Sequence, residues 1–162
     1  MELNKKLDFE KIMDYTYPKV FTFAPRDQMI AVMKKSFDNE QMTLGMDSLK
    51  TDSIYPVFKM QEGSYAKIKY SMLMRIQLKN EGKSEDEKKT INEGMLAGAK
   101  SQYGGKARMD SSGTVTINMD AVMVAIKDKS SKDWTFANLK EGDEMTTKIF
   151  SKELLDKLAT YK

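Results

Sequence analysis

The side chains able to do chemistry in this sequence are restricted before any spacing is considered. The chain contains neither histidine nor cysteine. That excludes imidazole and thiolate nucleophiles, thiolate zinc sites, iron–sulfur clusters and disulfides. Acid–base work near neutral pH then falls to carboxylates, tyrosines and lysines, and a metal site would need oxygen ligands alone. One constellation joins Asp120 with Tyr15, Tyr17 and Tyr70. Asp120 sits between Met119 and Ala121, where the apolar phase of a strand changes. Turned inward, it would have its pKa raised by burial toward a value useful for proton transfer. Read more simply, Asp120 is an exposed turn or bulge residue and the tyrosines are core rings, because carboxylates are seldom buried without a partner.

A second set, Tyr17, Tyr70, Met72, Met74, Met119, Met123 and Trp134, has the character of a lining for an apolar ligand. The chain carries 14 methionines, and methionine at alternating strand positions is more often core filler than binding surface. A third set, Asp47, Asp52, Asp110 and Asn118, offers oxygens to a divalent cation. Asp47 to Asp52 lacks the spacing of a calcium-binding helix–loop–helix, and no metal is expected. Gly94, Gly98, Gly104 and Gly105 fit neither a phosphate loop nor a dinucleotide fingerprint, so no cofactor is expected either.

The elements that must position these residues are legible from periodicity and punctuation. Phe9, Ile12, Met13 and Val20 recur at helical spacing and predict a helix over about Leu7 to Phe21, kinked or ended early by Pro18. Pro25 and Asp27 open a second helix whose apolar face is Met29, Ile30, Val32, Met33 and Phe37. Phe9, Ile12, Met33 and Phe37 are expected in one core. Thr43 to about Phe58 alternates poorly, and Pro56 makes it an edge strand or a broken one. Tyr65 to Leu78 alternates strictly. Ala66, Ile68, Tyr70, Met72, Met74, Ile76 and Leu78 predict the buried face, with Tyr65, Lys67, Lys69 and Arg75 on the wetter one.

Ser84 to Glu87 has capping-box spacing and opens a helix that Gly104-Gly105 ends. Gly94 and Gly98 are expected to let it approach a sheet. Three strands follow, near Lys106–Asp110, Thr114–Lys127 and Trp134–Leu139, joined by turns at Ser111-Ser112-Gly113 and Lys129–Lys132. In the long one the apolar set passes from Val115, Ile117 and Met119 to Val122, Val124 and Ile126, which predicts a bulge near Asp120. Ser151 caps a short final helix, with Phe150 and Leu155 placed as a hydrophobic staple.

Hydrophobic residues make up 40% and charged residues 31% of the 162, the balance of a globular chain rather than a disordered one. One domain over residues 1–162 is expected. The 27 basic and 24 acidic residues interleave without a one-signed stripe, which argues against nucleic acid as a partner. No apolar run reaches membrane-spanning length, and Met1 to Glu10 lacks a signal-peptide core. A cytoplasmic protein with no membrane partner is therefore expected.

Helices early, antiparallel strands late and a bent strand make an α+β pattern with a curved sheet around helices. On this order, on Tyr65-Ala66-Lys67-Ile68-Lys69-Tyr70 and on Trp134-Thr135-Phe136, the chain resembles the cystatin-like cone of the nuclear-transport-factor-2-like superfamily, from about Leu7 to Leu139. It is also similar to small bacterial proteins with a Tyr-Thr-Tyr-Pro first helix, here Tyr15-Thr16-Tyr17-Pro18. The additional C-terminal helix departs from the simplest cone. Such cones host binders, adaptors, isomerases and dehydratases, so the fold does not choose among them. The leading expectation is a non-enzymatic cone that binds a small apolar ligand or a protein partner as a homodimer; cones of this kind often pair through the outer sheet face, where Leu73 is the one apolar hint. Its alternative is a cofactor-free isomerase or dehydratase, in which Asp120 abstracts a proton beside a carbonyl and a tyrosine donates to the oxyanion. A structural module with a filled interior is the third option.

Overall fold

Caps, prolines and turn residues set the element boundaries. The computed structural model describes residues 8–61, 63–140 and 142–161. Among them are five α-helices, two 3-10 turns and six strands. In chain order these are α1 (Phe9–Asp14), a 3-10 turn at Pro18–Thr22, α2 (Arg26–Phe37), β1 (Met42–Ile54), β2 (Phe58–Met60) and β3 (Gly63–Leu78). Then come α3 (Glu85–Tyr103), a 3-10 turn at Gly104–Lys106, β4 (Ala107–Met109), β5 (Val115–Lys127), β6 (Thr135–Asn138), α4 (Glu144–Ile149) and α5 (Lys152–Thr160). The strands form an antiparallel, curved, open sheet in the order β1-β3-β5-β4, with β2 also on β3 and β6 also on β5. The expected α+β class, with its antiparallel sheet and short C-terminal helix, is the one observed.

The described residues fall into two compact units, one of residues 32–49 and 71–119, the other of residues 8–31, 50–70 and 120–161. In the first, α3 opens with the predicted capping box. Ser84 Oγ accepts from the Glu87 N–H, and the Glu87 carboxylate accepts from the Ser84 N–H at 2.8 Å. Gly104, at φ 60°, ends the helix. Ala99 of this helix packs with Ala107, Val115 and Ile117, and Met74, Ile76, Met95, Leu96 and Met119 pad the cluster. Ala107 pairs with Ile117 and Met109 with Val115, so one face of β4 and β5 turns the same way. Gly94 and Gly98 do not serve close approach as expected: a methyl group at either would meet nothing within 4 Å.

In the second unit α1 is shorter than the helix expected. Its expected start, Leu7, lies outside the described residues. Asp8 caps it through the Lys11 N–H at 3.1 Å, and it stops at Asp14. Pro18 explains the stop. The residue before a proline is pushed out of helical conformation, and Tyr17 takes φ -57°, ψ 126°. The extended segment then pairs with β6, where the Tyr17 N–H donates to the Phe136 carbonyl at 2.9 Å and the Phe136 N–H donates to the Tyr15 carbonyl at 2.7 Å.

Pro56 breaks the first strand as predicted, leaving β1 and β2 on either side of Tyr55-Pro56-Val57. A local irregularity adds to the poor alternation of β1: Ser48 has a left-handed φ of 53°. The faces of β3 need correction at its start, where Tyr65, Ala66 and Lys67 are all buried because the chain is covered on both sides. The core here is Tyr17, Val20, Tyr65, Val124, Ile126, Ala137, Ile149, Phe150, Leu154 and Leu158. The unforeseen α4 is capped by Asp143, which accepts from the Thr146 N–H at 3.1 Å. Ser151 caps α5, and the staple residues Phe150 and Leu155 both join the cluster. Phe9 is buried, Ile12, Met33 and Phe37 are half-buried, and the one buried residue of α2 is Ile30.

Candidate functional site

Of the four residues with the means for proton chemistry, Asp120 and Tyr15 are exposed and Tyr17 and Tyr70 are buried. Asp120 is exposed on β5 and not turned inward. Tyr15 is 53% exposed. Tyr17 is 2% exposed, and its hydroxyl donates to Asp128 Oδ2 at 2.7 Å. Burial, followed by the adjacent Asp128 carboxylate, pushes the Tyr17 hydroxyl pKa far above its ordinary value. Tyr70 is buried, donates to Asn138 Oδ1 at 3.1 Å, and is likewise raised by burial. Both hydroxyls are therefore held neutral and already engaged.

Asp128 is the partner that the spacing of apolar residues did not reveal. Its Oδ1 accepts from the Ser130 backbone N–H at 2.8 Å and from the Ser130 hydroxyl, while Oδ2 takes the Tyr17 hydroxyl. Burial pushes the carboxyl pKa up, but the donors from Ser130 and Tyr17 outweigh it, and the net shift is downward. A carboxylate so saturated pins a turn to the core and makes a poor base. An Asp-x-Ser pattern was the available signal. The same pattern recurs before β5, where Asp110 Oδ1 accepts from the Ser112 N–H at 2.9 Å and the Thr114 N–H at 3.0 Å.

The candidates for an apolar lining are divided between the two units. Met74 and Met119 pad the cluster of the first unit, Tyr17 belongs to that of the second, and Met72, Met123 and Trp134 are half-buried. A cleft of about 730 Å³ lies in the first unit and is lined by none of the seven. Its walls are the end of β3 with Lys79, Asn80 and Glu81, the first turns of α3 with Glu85, Lys88, Lys89 and Asn92, and the Asp110–Gly113 turn. It is a polar surface recess. Lys79 is paired with Asp38 at 2.6 Å and Lys88 with Glu85 at 2.7 Å, and the Asn80 amide donates to Asn92 at 3.1 Å. Of the oxygen-ligand candidates, Asp47 faces Arg75 at 2.5 Å and Asp110 is committed to its turn. Among the described residues no group of three or more acidic side chains gathers as a metal ion would require.

The second unit offers a different kind of surface. β1 ends the strand order, with β3 as its sheet neighbour. Its last five residues, Lys50 to Ile54, are exposed one after another, so side chains on both faces of the strand reach solvent there. Ile54 is 69% and Val57 57% exposed, large apolar side chains on either side of the Pro56 break. Behind them the strand is firmly anchored. The Tyr55 N–H donates to the Lys67 carbonyl at 2.9 Å, and the Tyr55 ring lies 4.8 Å from the Lys67 ammonium and 5.5 Å from that of Lys69. The sheet edge at β6 is treated differently, since the Tyr15–Tyr17 segment is hydrogen-bonded along it.

No family model matches the chain, no curated protein matches it, and no solved structure matches it.

Proposed function

We propose that the protein is a non-enzymatic interaction module that binds another polypeptide by accepting an extended segment along the outer edge of β1. The observation that carries this reading is the exposure of Lys50 to Ile54 at the end of the strand order, with Ile54 and Val57 presented to solvent beside it. An edge strand offers a row of backbone donors and acceptors that an incoming strand satisfies. Main-chain bonds supply affinity in that mode, and pockets or exposed apolar side chains supply selectivity. A proton-abstracting role lacks comparable support, because Asp120 is exposed and the buried hydroxyl of Tyr17 is spent on Asp128. Binding of an apolar ligand lacks it as well, because the recess of the first unit is polar.

The test is selection from a displayed library of random peptides against the wild-type protein and against Lys50→Pro. Proline removes an edge donor and blocks strand addition. The expected result is enrichment of extended segments with alternating apolar residues, lost on the variant while its thermal melt is retained. Equal enrichment on both proteins, or none on either, contradicts the proposal.

A further inference from the structure

We infer that the strand added to β1 is β1 of a second copy of this chain, antiparallel and centred on Thr51. This rests on the strand-accepting edge proposed above and names its occupant. The register follows from one hydrogen bond and from the order of charges. The Tyr55 N–H points inward, to the Lys67 carbonyl at 2.9 Å. Backbone groups alternate sides along an antiparallel strand, so Lys50, Asp52 and Ile54 direct theirs to the outer side.

A symmetric pair must then join these outward residues to one another across a two-fold axis. Centring the axis on Lys50 sets lysine against lysine, and centring it on Asp52 sets aspartate against aspartate, both of which are unfavourable across strands. Centring it on Thr51 sets Lys50 of each copy opposite Asp52 of the other, twice, with the two threonines facing between them. Opposite charges and threonine pairs are both favourable cross-strand partners. Lys50, Thr51 and Asp52 are all exposed, and a carboxylate has two oxygens and accepts more than one donor. The sequence Lys-Thr-Asp is thus its own complement when read in reverse.

The natural absence of cysteine makes the register directly measurable. In the proposed pairing Thr51 faces its own copy as a non-hydrogen-bonded pair, with Cα atoms about 4.5 Å apart, within disulfide reach. Thr51→Cys should therefore form an intermolecular disulfide on mild oxidation, and Ser53→Cys, displaced along the strand, should not. In sedimentation velocity across a concentration series the wild type should dimerise. Lys50→Glu and Asp52→Lys should each shift it to monomer, and the double variant should restore the dimer, with circular dichroism confirming that all four fold. A wild type that stays monomeric, or equal cross-linking at positions 51 and 53, overturns the self-pairing. A monomer that still binds displayed peptides in a Lys50→Pro-sensitive way overturns only the choice of occupant, whereas loss of both signals overturns the edge reading as well.

Discussion

Lys67 is buried, at 7% exposure, and its ammonium donates to the carbonyl oxygen of Leu158 at 2.8 Å. Leu158 lies in the last turn of α5, where carbonyls have no partner within the helix and the helix dipole presents its negative end. A β3 side chain from a position expected to face water thus closes the C-terminus of the final helix. The Tyr55 ring covers the same ammonium, and Tyr55 in turn anchors the end of β1 to β3.

Lys67→Met keeps the aliphatic stem and removes the donor. It leaves the Leu158 carbonyl unsatisfied, and the expected loss is about 1–3 kcal/mol in urea denaturation, with faster amide exchange in the last turn of α5. Unchanged or increased stability would show that desolvating the ammonium outweighs what it donates.

Gly113 is constrained twice. Its φ is +81°, and a methyl group there would lie 2.2 Å from the Asn92 amide nitrogen. Gly82 has φ +74° with nothing within 4 Å. Both alanine substitutions meet the left-handed penalty of roughly 1–2 kcal/mol, and Gly113→Ala should cost more by the displacement of Asn92. Thermal melts of the two variants should differ accordingly, and the difference should vanish in an Asn92→Ala background. Equal melts in the native background would mean that Asn92 yields without loss.

The hydrogen-bonded Asp128 predicts a pH dependence with a definite sign. Burial raises its carboxyl pKa, the Ser130 and Tyr17 donors lower it further, and the net is a native value below the ordinary one. The native state then holds the anion at pH values where the unfolded chain, with an aspartate pKa of about 3.9, takes up the proton. Its contribution is complete above that value and is lost as pH falls through the native pKa. The stability gap between wild type and Asp128→Asn should be constant near neutrality and close on acidification. A gap that persists unchanged into acid would contradict the assignment.

The tyrosines should ionise in a fixed order. Tyr55 is lowered by its hydrogen bond to Lys69, whereas Tyr17 is raised by burial and then by Asp128. An ultraviolet pH titration of wild type, Tyr55→Phe and Tyr17→Phe should assign the first phase to Tyr55 and the last to Tyr17. Because the native Tyr17 keeps its proton where an unfolded tyrosine loses it, at about pH 10, its contribution to stability is lost as pH rises beyond that point. The reverse order of phases would refute the buried Tyr17–Asp128 pair.

Local signals carried the element boundaries well. Ser84 and Glu87, Pro25, Pro56, Gly104 and Ser151 each act at the position where they stand, because caps and breakers need only neighbours within a few residues. What failed depended on distant chain. Lys67 reads as a wet-face residue until α5 brings the Leu158 carbonyl to it, and strict alternation cannot report a second cover on that face. The stop of α1 at Asp14 reflects Pro18, a local signal, together with the pairing of Tyr17 to Phe136, which no local pattern encodes. The type of Tyr17 marks it as able to do chemistry, but its hydroxyl partner, Asp128, lies 111 residues away. The edge position of β1 was legible through Pro56, while the exposure of Lys50 to Ile54 on both faces was not.

On the reading proposed above, the outer side of β1 is open to another strand, and residue-resolved amide exchange measures that openness. In dilute protein the Tyr55 amide, bonded to the Lys67 carbonyl, should be protected, and the amides of Lys50 and Ile54 should exchange openly. Raising the protein concentration should slow Lys50 and Ile54 while leaving Tyr55 unchanged. Protection of Lys50 and Ile54 equal to that of Tyr55 at the lowest concentration, or exchange that never slows as a strand is supplied, would rule out a strand-accepting edge at β1.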